Sequence, residues 1–304
     1  MHYLGFYNRE KRAIPLMPYK DYSSQAKPIM SKDAVMSMTL IQRIQDGEHK
    51  VFFETGGEWC YIWTPETFVK ERPVPVVIHH HGARGYVRNG SADWLDEKDK
   101  ATILRAVMAG GGCAVAGSHA CGDHWGNPDA VRANHALFEA LIECPSVDAG
   151  RVGLMGGGLG GALIWNSVIG PLTGRVKAVA VMQAVVSLEA LIREHKFKAS
   201  CLRAYGLPED TPDDEAVARI RPYDPLPRLQ KLTRGTPLPR TVIYHGVKDA
   251  NIPAETNAIP LAETLKKTGG EVTLELFPHV AHSVYGMGKP IEERLRSFFA
   301  SSLR

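Results

Sequence analysis

This sequence of 304 residues has no long apolar run, no cysteine framework and no large excess of charge. No stretch approaches the roughly 18 apolar residues that a membrane-spanning helix needs. The formal net charge is only +3, with basic and acidic residues interspersed, so we expect no nucleic-acid partner. The five cysteines are odd in number and follow no disulfide spacing, which predicts reduced thiols.

The sequence also shows no targeting signal. Its first residues lack the basic start and following apolar run of a signal peptide, so we expect a cytoplasmic or particle-associated protein. With 44% hydrophobic and 23% charged residues, the composition is that of a globular protein. The length suits one large domain or two small ones.

Apolar runs alternate with stretches of helical spacing along most of the chain. Residues 51–63 alternate as a β-hairpin broken by Gly56-Gly57. The later runs are rich in Val, Ile and Ala, which is typical of strands buried on both faces. They lie at residues 74–78, 113–116, 152–155, 176–182, 241–244 and 272–277. This alternation predicts an α/β fold with a mostly parallel central sheet and helices on both faces.

Two segments stand outside the alternation. Residues 1–48 are predicted to form an N-terminal extension to a domain at residues 49–304. Residues 184–239, rich in Pro, Arg and Asp, lie between two strands. Because ligands bind at the carboxyl edge of parallel sheets, this insertion is interpreted as a small cap over a cleft.

Residues 151–162 combine an apolar strand, a glycine-rich turn and the start of a helix. This is the layout of a nucleophile elbow, in which Gly-x-Ser-x-Gly presents a serine on a strained turn. Gly156 and Gly160 are then the framing glycines. Gly158 occupies the serine position, and glycine has no side chain that can attack a substrate.

The same glycines allow a second interpretation. Gly156, Gly158 and Gly161 match the dinucleotide-binding pattern Gly-x-Gly-x-x-Gly between a strand and a helix. That motif normally has an acidic residue about 20 positions later, which binds the ribose. Here the next strand is followed by Gln183 instead, which makes nucleotide binding the weaker alternative.

Three further motifs follow the order expected around such an elbow. A strand before it ends in His-His-His-Gly-Ala-Arg-Gly at residues 79–85. After it come Tyr-His-Gly-Val-Lys-Asp at residues 244–249 and Phe-Pro-His-Val-Ala-His-Ser at residues 277–283. Over residues 50–302 the chain resembles the α/β-hydrolase superfamily, particularly its esterase and dienelactone-hydrolase-like branches.

The resemblance implies a role for each motif. Asp249 and His282 take the places of the catalytic acid and histidine, and we expect them to be hydrogen-bonded. The backbone N–H groups of Ala83 and Leu159 take the places of oxyanion-hole donors, with Gly82 as a neighbour able to substitute.

Histidines elsewhere raise the question of a metal. Three consecutive strand residues point to alternate faces, so His79, His80 and His81 cannot converge on one ion. His279 and His282 lack a third ligand, and the His, Cys and Asp residues of segment 117–128 fit no zinc spacing. We expect neither a metal nor another cofactor. His81 and Trp125 remain candidates for the substrate cleft.

Three functions stay open. The favoured one is a catalytically inactive homologue that acts as a binding or structural module. The second is a carboxylic-ester hydrolase of the serine-esterase type, inactivated by replacement of serine with glycine. The third is chemistry by the His282–Asp249 dyad alone, with histidine as the general base. We expect a small ester-like ligand or a protein partner, with the N-terminal extension available to dock the chain in a larger assembly.

Overall fold

The sheet that organises this protein is seen in a computed structural model, which describes residues 40–304. Most of the predicted N-terminal extension lies outside the described residues. The strands are β1 (Lys50–Thr55), β2 (Glu58–Trp63), β3 (Val74–His80), β4 (Val87–Arg88), β5 (Ser91–Ala92), β6 (Ala114–Ser118), β7 (Val147–Gly158), β8 (Ala178–Ala184), β9 (Arg240–Gly246) and β10 (Val272–Phe277).

Eleven helices connect or flank these strands within the described part of the chain. They are α1 (Leu40–Arg43), α2 (Asp93–Asp96), α3 (Lys98–Gly111), α4 (Pro128–Ile142), α5 (Gly160–Val168), α6 (Leu188–Arg193), α7 (Lys198–Ala204), α8 (Asp213–Ile220), α9 (Pro225–Leu229), α10 (Ala258–Thr268) and α11 (Lys289–Ser302). No helix of residues 40–304 combines the length and the apolar character needed to cross a membrane.

Eight strands form one sheet in the order β1-β2-β6-β3-β7-β8-β9-β10. The β1–β2 hairpin turns at Gly56 and Gly57, which both have positive φ angles, as a tight hairpin requires. Strand β2 runs antiparallel to β6, and every pairing from β6 to β10 is parallel. The predicted mostly parallel sheet is confirmed.

Apolar side chains cover both faces of the sheet. One face packs on α4, α5 and α10 through residues such as Leu137, Ile164 and Leu261. The other packs on α3 and α11 through residues such as Leu104 and Phe299. All seven residues of β8 are buried, which explains why that strand is a continuous apolar run in the sequence.

Helices α6 to α9 lie between β8 and β9, within the predicted cap segment. Side chains of α6, α7 and α8 form a separate apolar cluster. Trp125, Leu159 and Ile252 belong to the same cluster, although they come from three other parts of the chain. These helices therefore pack directly beside the turn between β7 and α5.

The β7–α5 turn passes very close to the end of β3. A Cβ atom built on Gly156 would lie 2.6 Å from the carbonyl oxygen of His80. One built on Gly160 would lie 2.6 Å from the same oxygen and 2.8 Å from that of His81. No side chain fits at either position without a backbone shift, so the framing glycines bring the helix start against the neighbouring strand.

We expect Gly160→Ala to lower the free energy of unfolding by about 1–3 kcal/mol, because the methyl group overpacks rigid backbone. Urea denaturation measures this change. Gly111→Ala is the matched control, since its Cβ would lie 3.7 Å from Ala300 Cα in ordinary contact. Equal stability of the two variants would contradict the close approach.

Candidate active site

The turn after β7 presents Gly158 at its apex. Its φ angle is +53°, in the region that favours glycine and that side-chain-bearing residues adopt only under strain. A Cβ atom built there would contact only Gly82 Cα, at 3.7 Å. The strained conformation of a nucleophile elbow is therefore present, with open space where a side chain would point.

Asp249 and His282 form an acid–histidine pair, and His282 and Gly158 line one cavity. His282 Nδ1 is 2.8 Å from Asp249 Oδ2, as the sequence predicts. Asp249 is buried, and its Oδ1 accepts the backbone N–H groups of Asn251 and Ile252 at 3.0 and 2.9 Å. These bonds hold the carboxylate in place. The carboxylate in turn fixes the tautomer of the imidazole. Nε2 of His282 has no hydrogen-bond partner in the described structure.

Burial raises the pKa of Asp249, but the bonds from His282 and Ile252 favour the charged form more strongly. The net result is a pKa below the usual value for aspartate. The carboxylate is therefore ionised at neutral pH, as a partner for an imidazole that takes up a proton must be.

A second histidine near the acid escaped the sequence analysis. His245 Nε2 lies 2.7 Å from the carbonyl oxygen of Ile252 and 3.6 Å from Asp249 Oδ2, and the side chain is fully buried. Burial lowers the pKa of His245, which keeps the ring neutral. Its hydrogen bond braces the loop that carries Asp249. Its only sequence signal is its place in the motif Tyr-His-Gly-Val-Lys-Asp, four residues before Asp249.

The predicted oxyanion loop borders the same cavity. Gly82, Ala83 and Leu159 all line it. Within the described structure, the backbone N–H groups of Ala83 and Leu159 have no hydrogen-bond acceptor. Two donors without an acceptor therefore belong to two separate elements of the cavity lining, and backbone donors of this kind can stabilise a negatively charged oxygen.

His81 does not line the cavity, contrary to its selection as a cleft residue. It is buried behind the oxyanion loop, with Nδ1 2.8 Å from the carbonyl oxygen of Gly82 and Nε2 2.9 Å from that of His119. Its ring ties two loops together. A histidine that ends a strand is exposed or buried according to how those loops fold over it, which strand periodicity does not reveal.

The other two histidines of the run are also buried. The ring of His79 packs on Trp94 at 4.0 Å between centroids, and burial lowers the pKa of His80 to about 3. In the described part of the chain, no group of three or more His, Cys, Asp or Glu side chains is arranged to hold a metal ion.

The cavity has a volume of about 410 Å³ and is mostly apolar. Its apolar walls are Trp94, Trp125, Met182, Phe197, Ile252 and Val284. Trp125 therefore lies in the cleft. Its indole Nε1 donates to Ser200 Oγ at 2.9 Å, and its ring lies 5.6 Å from that of Phe197, so α7 and the residue before it hold this wall in place.

A β-bulge shapes the floor of the cavity. Gly157 pairs with Met182 and Gly158 with Ala184, so Gln183 is an extra residue in β8. Gln183 has a positive φ angle of 49° and is buried, and its Nε2 donates to the carbonyl oxygen of Ala281. The bulge therefore aims an amide at the residue that precedes His282. In the sequence, Gln183 is a polar residue that follows an apolar run, at the place where a nucleotide-binding motif would have an acidic residue.

No other side chain takes the place of the missing serine in the described structure. Ser283 lines the cavity, but its Oγ accepts the N–H of Gly286 at 3.1 Å within its own turn. Cys121 lies outside the cavity lining, and partial burial together with Glu58 raises the pKa of its thiol to about 12. A thiol with so high a pKa is a poor nucleophile at neutral pH.

The model of the prolyl oligopeptidase family, a peptidase family, matches residues 109–303, well over half of the chain. The chain belongs to this family. The matched range contains Gly158, Asp249 and His282, whereas the oxyanion loop precedes it. The family match is to peptidases and does not specifically show the expected esterase or dienelactone-hydrolase-like branch, whereas the α/β-hydrolase fold is confirmed.

The curated relatives include an uncharacterized peptidase, YuxL, of Bacillus subtilis (strain 168), which is 29% identical over 214 residues. That alignment covers 64% of this chain and 30% of the relative. Acylamino-acid-releasing enzyme 1 of Oryza sativa subsp. japonica is 27% identical over 159 residues, which is 50% of this chain and 19% of that enzyme. The chain therefore spans less than a third of either relative.

Solved structures share the fold at low identity. Oligopeptidase B from Leishmania major matches with a TM-score of 0.65 and 12% identity, over 84% of this chain and 36% of that one. A puromycin-hydrolyzing peptidase of Mycobacterium tuberculosis matches with a TM-score of 0.65 and 17% identity, over 84% and 40%.

The Asp249 carboxylate should give a pH-dependent contribution to stability. Its pKa is lower in the folded chain than the value of about 3.9 in the unfolded chain, so its contribution is full above about pH 4 and is lost as pH falls through the folded-state pKa. We expect the difference in free energy of unfolding between wild type and Asp249→Asn to shrink between about pH 6 and pH 3. Urea denaturation at both pH values measures it, with the exposed Asp210→Asn as control. If wild type and Asp249→Asn differ by the same free energy of unfolding at both pH values, the lowered pKa of Asp249 is refuted.

Gln183→Met keeps the length of the side chain but removes the donor to Ala281. We expect backbone amides of residues 279–284 to exchange with deuterium about fivefold faster, because a hydrogen bond contributes about 1 kcal/mol. Hydrogen-exchange mass spectrometry measures this local rate. Exposed Gln230→Met should leave it unchanged. Unchanged exchange in Gln183→Met would show that the amide does not hold the histidine loop.

Proposed function

We propose that this chain is a catalytically silent member of its peptidase family, whose cleft binds peptide-like ligands without turning them over. The observation that carries this proposal is Gly158 at the apex of the elbow. A serine peptidase forms its acyl-enzyme through the nucleophile, and removing it costs about a million-fold in kcat. The remaining groups can bind and polarise a carbonyl but cannot form the covalent intermediate.

The preserved geometry around Gly158 supports a binding role. A chain that had lost all use for this cleft would have no reason to keep an open cavity of about 410 Å³ with convergent polar groups. Here Ala83, Leu159 and His282 all line that cavity, and the N–H groups of the first two and Nε2 of the third have no hydrogen-bond partner in the described structure. These groups recognise a polarised carbonyl or an oxyanion, whether or not a bond is later broken.

A second candidate is a serine hydrolase that lacks one side chain. The space at Gly158 favours it, because a Cβ there would meet only Gly82 Cα at 3.7 Å. On this view the substrate is a peptide or a carboxylic ester, and restoring serine restores turnover. A third, dyad-only function uses His282 as a general base on water. It predicts activity in the chain as it stands, which is lost with His282.

The predictions about partners belong to this proposal as well. A small ester-like ligand or a protein segment would fit the cleft, and docking through residues 1–48 remains a prediction. We propose no cofactor, because binding through backbone N–H groups and an imidazole needs none. The nucleotide alternative gains no support, because the family match is to peptidases and the side chain of Gln183 donates to the histidine loop.

Gly158→Ser tests the proposal against both alternatives. Hydrolysis of a peptidyl aryl amide and of a short-chain aryl ester is measured for the wild type, Gly158→Ser and Gly158→Ala. The silent-binder proposal expects no turnover from the wild type or Gly158→Ala. If the catalytic groups are intact, serine should raise turnover by several orders of magnitude, and His282→Ala in that background should abolish the gain.

Gly158→Ala is the matched control because it carries the same backbone strain and Cβ atom without the hydroxyl. Turnover by the wild type that disappears in His282→Ala would overturn the silent-binder proposal in favour of the dyad. If Gly158→Ser is folded but shows no turnover, the chain is not a serine hydrolase that lacks only one side chain. Ligand binding is then the function to measure.

A further inference from the structure

Resting on the proposed ligand-binding function, we infer that the vacated nucleophile position is a carboxylate site, which binds the free C-terminal carboxylate of a peptide with an apolar last residue. In an active serine peptidase the oxygen of the nucleophile occupies the space beside the carbonyl carbon. In this chain that space is open, because nothing but Gly82 Cα lies within 4 Å of a Cβ on Gly158.

Removal of the nucleophile makes room for a second ligand oxygen. A carboxylate has two oxygens on one carbon, whereas a peptide carbonyl has one. The first carboxylate oxygen can accept the free N–H groups of Ala83 and Leu159, as an oxyanion would. The second would then occupy the volume that a serine oxygen would fill, in the cavity that His282 also lines.

The acid–histidine pair favours a negatively charged ligand there. Asp249 holds Nδ1–H of His282, so a neutral ring offers only a lone pair at Nε2. When the ring takes up a proton, Nε2 donates to the carboxylate, and Asp249 stabilises the resulting imidazolium. Carboxylate binding is therefore expected to take a proton from solution.

The other charges in the cavity do not oppose this ligand. Asp93 and Lys100 are the remaining titratable side chains of the lining. Lys100 forms ion pairs with Asp93 at 3.0 Å and with Glu97, which lies outside the lining, at 2.8 Å. Asp249 and the buried His245 lie behind His282. The positive end of the dipole of α5, which begins at Gly160, adds to the attraction.

The walls of the cavity define the residue that precedes the carboxylate. Trp94, Trp125 and Phe197 line it together with aliphatic side chains, and Phe197 remains 42% exposed at the edge of the site. Trp94 and Trp125 are already buried, at 8% and 2% exposure, and form the back of this wall. A flat, apolar side chain at the C-terminal position would cover the exposed ring of Phe197 and bury apolar area. We therefore choose a phenylalanine-terminated peptide as the probe.

Isothermal titration of N-acetyl-alanyl-phenylalanine and its C-terminal amide tests the inference on the chain as it stands. The acid should bind at least about tenfold more tightly than the amide, because only the acid makes charge-assisted hydrogen bonds. Titration in two buffers of different ionisation enthalpy should reveal proton uptake with the acid alone. A merely apolar groove would give neither effect.

Three variants show which atoms carry the preference. His282→Gln should abolish proton uptake and bring the affinity of the acid to within about threefold of that of the amide. Gly158→Ser should weaken the acid about tenfold, because its hydroxyl fills the space of the second oxygen. His279→Gln, on the same loop and exposed, is the matched histidine control and should bind as the wild type does. Circular dichroism confirms that each variant is folded.

The outcomes separate this inference from the proposal on which it rests. If acid and amide bind equally, the carboxylate site is refuted, but the ligand-binding cleft stands. If neither binds at millimolar concentration while the protein is folded, both fail. If the preference for the acid survives in His282→Gln and Gly158→Ser, the carboxylate is recognised elsewhere, and the inference is overturned.

Discussion

The close contact between the β7–α5 turn and the end of β3 is the constraint on which this site depends. Glycine at positions 156 and 160 lets the two backbones approach to a distance that no Cβ atom allows, because the carbonyl oxygen of His80 lies 2.6 Å from each Cβ position. That contact places the N–H of Leu159 and the loop of Gly82 and Ala83 around one cavity. The architecture of an elbow is thus independent of the side chain at its apex, and it persists here with glycine in that place.

A second set of contacts sets the far side of the cleft. The bulge at Gln183 bonds the carbonyl oxygen of Ala281, and Asp249 bonds His282, so the histidine loop is held from two directions. The ring of His81 lies between the carbonyl oxygens of Gly82 and His119, and a neutral ring donates to one of the two, which helps to hold the predicted oxyanion loop. Gln183, Asp249 and His81 are buried and hydrogen-bonded, which is the condition under which polar contacts rigidify a site. These contacts therefore hold the loops around the cavity in place.

A chain can belong to a peptidase family and have glycine at the nucleophile position, because different atoms determine the fold and the reaction. The sheet, the helices and the elbow depend on burial and close packing, none of which requires a hydroxyl at position 158. The acyl-transfer reaction depends on that hydroxyl almost entirely. With glycine at position 158, the cavity is lined by Ala83, Leu159 and His282 and has open volume beside Gly158, and the proposed function rests on these groups. The proposed preference for a carboxylate follows from that vacancy.

The sequence by itself determined the parallel sheet, the elbow, and the pairing of Asp249 with His282. Each is encoded locally, in runs of apolar residues, in glycines at fixed spacing, or in a motif order shared across a superfamily. Helix α4 is a further example, since Asn127 caps it and Pro128 begins it. Tertiary structure alone decided that His81 is buried behind its loop, that Gln183 bonds Ala281, and that Trp125 joins the α6–α8 cluster. These outcomes depend on contacts between residues up to 98 positions apart. The sequence pattern shows the periodicity of one segment, but it does not predict which distant part of the backbone packs against that segment.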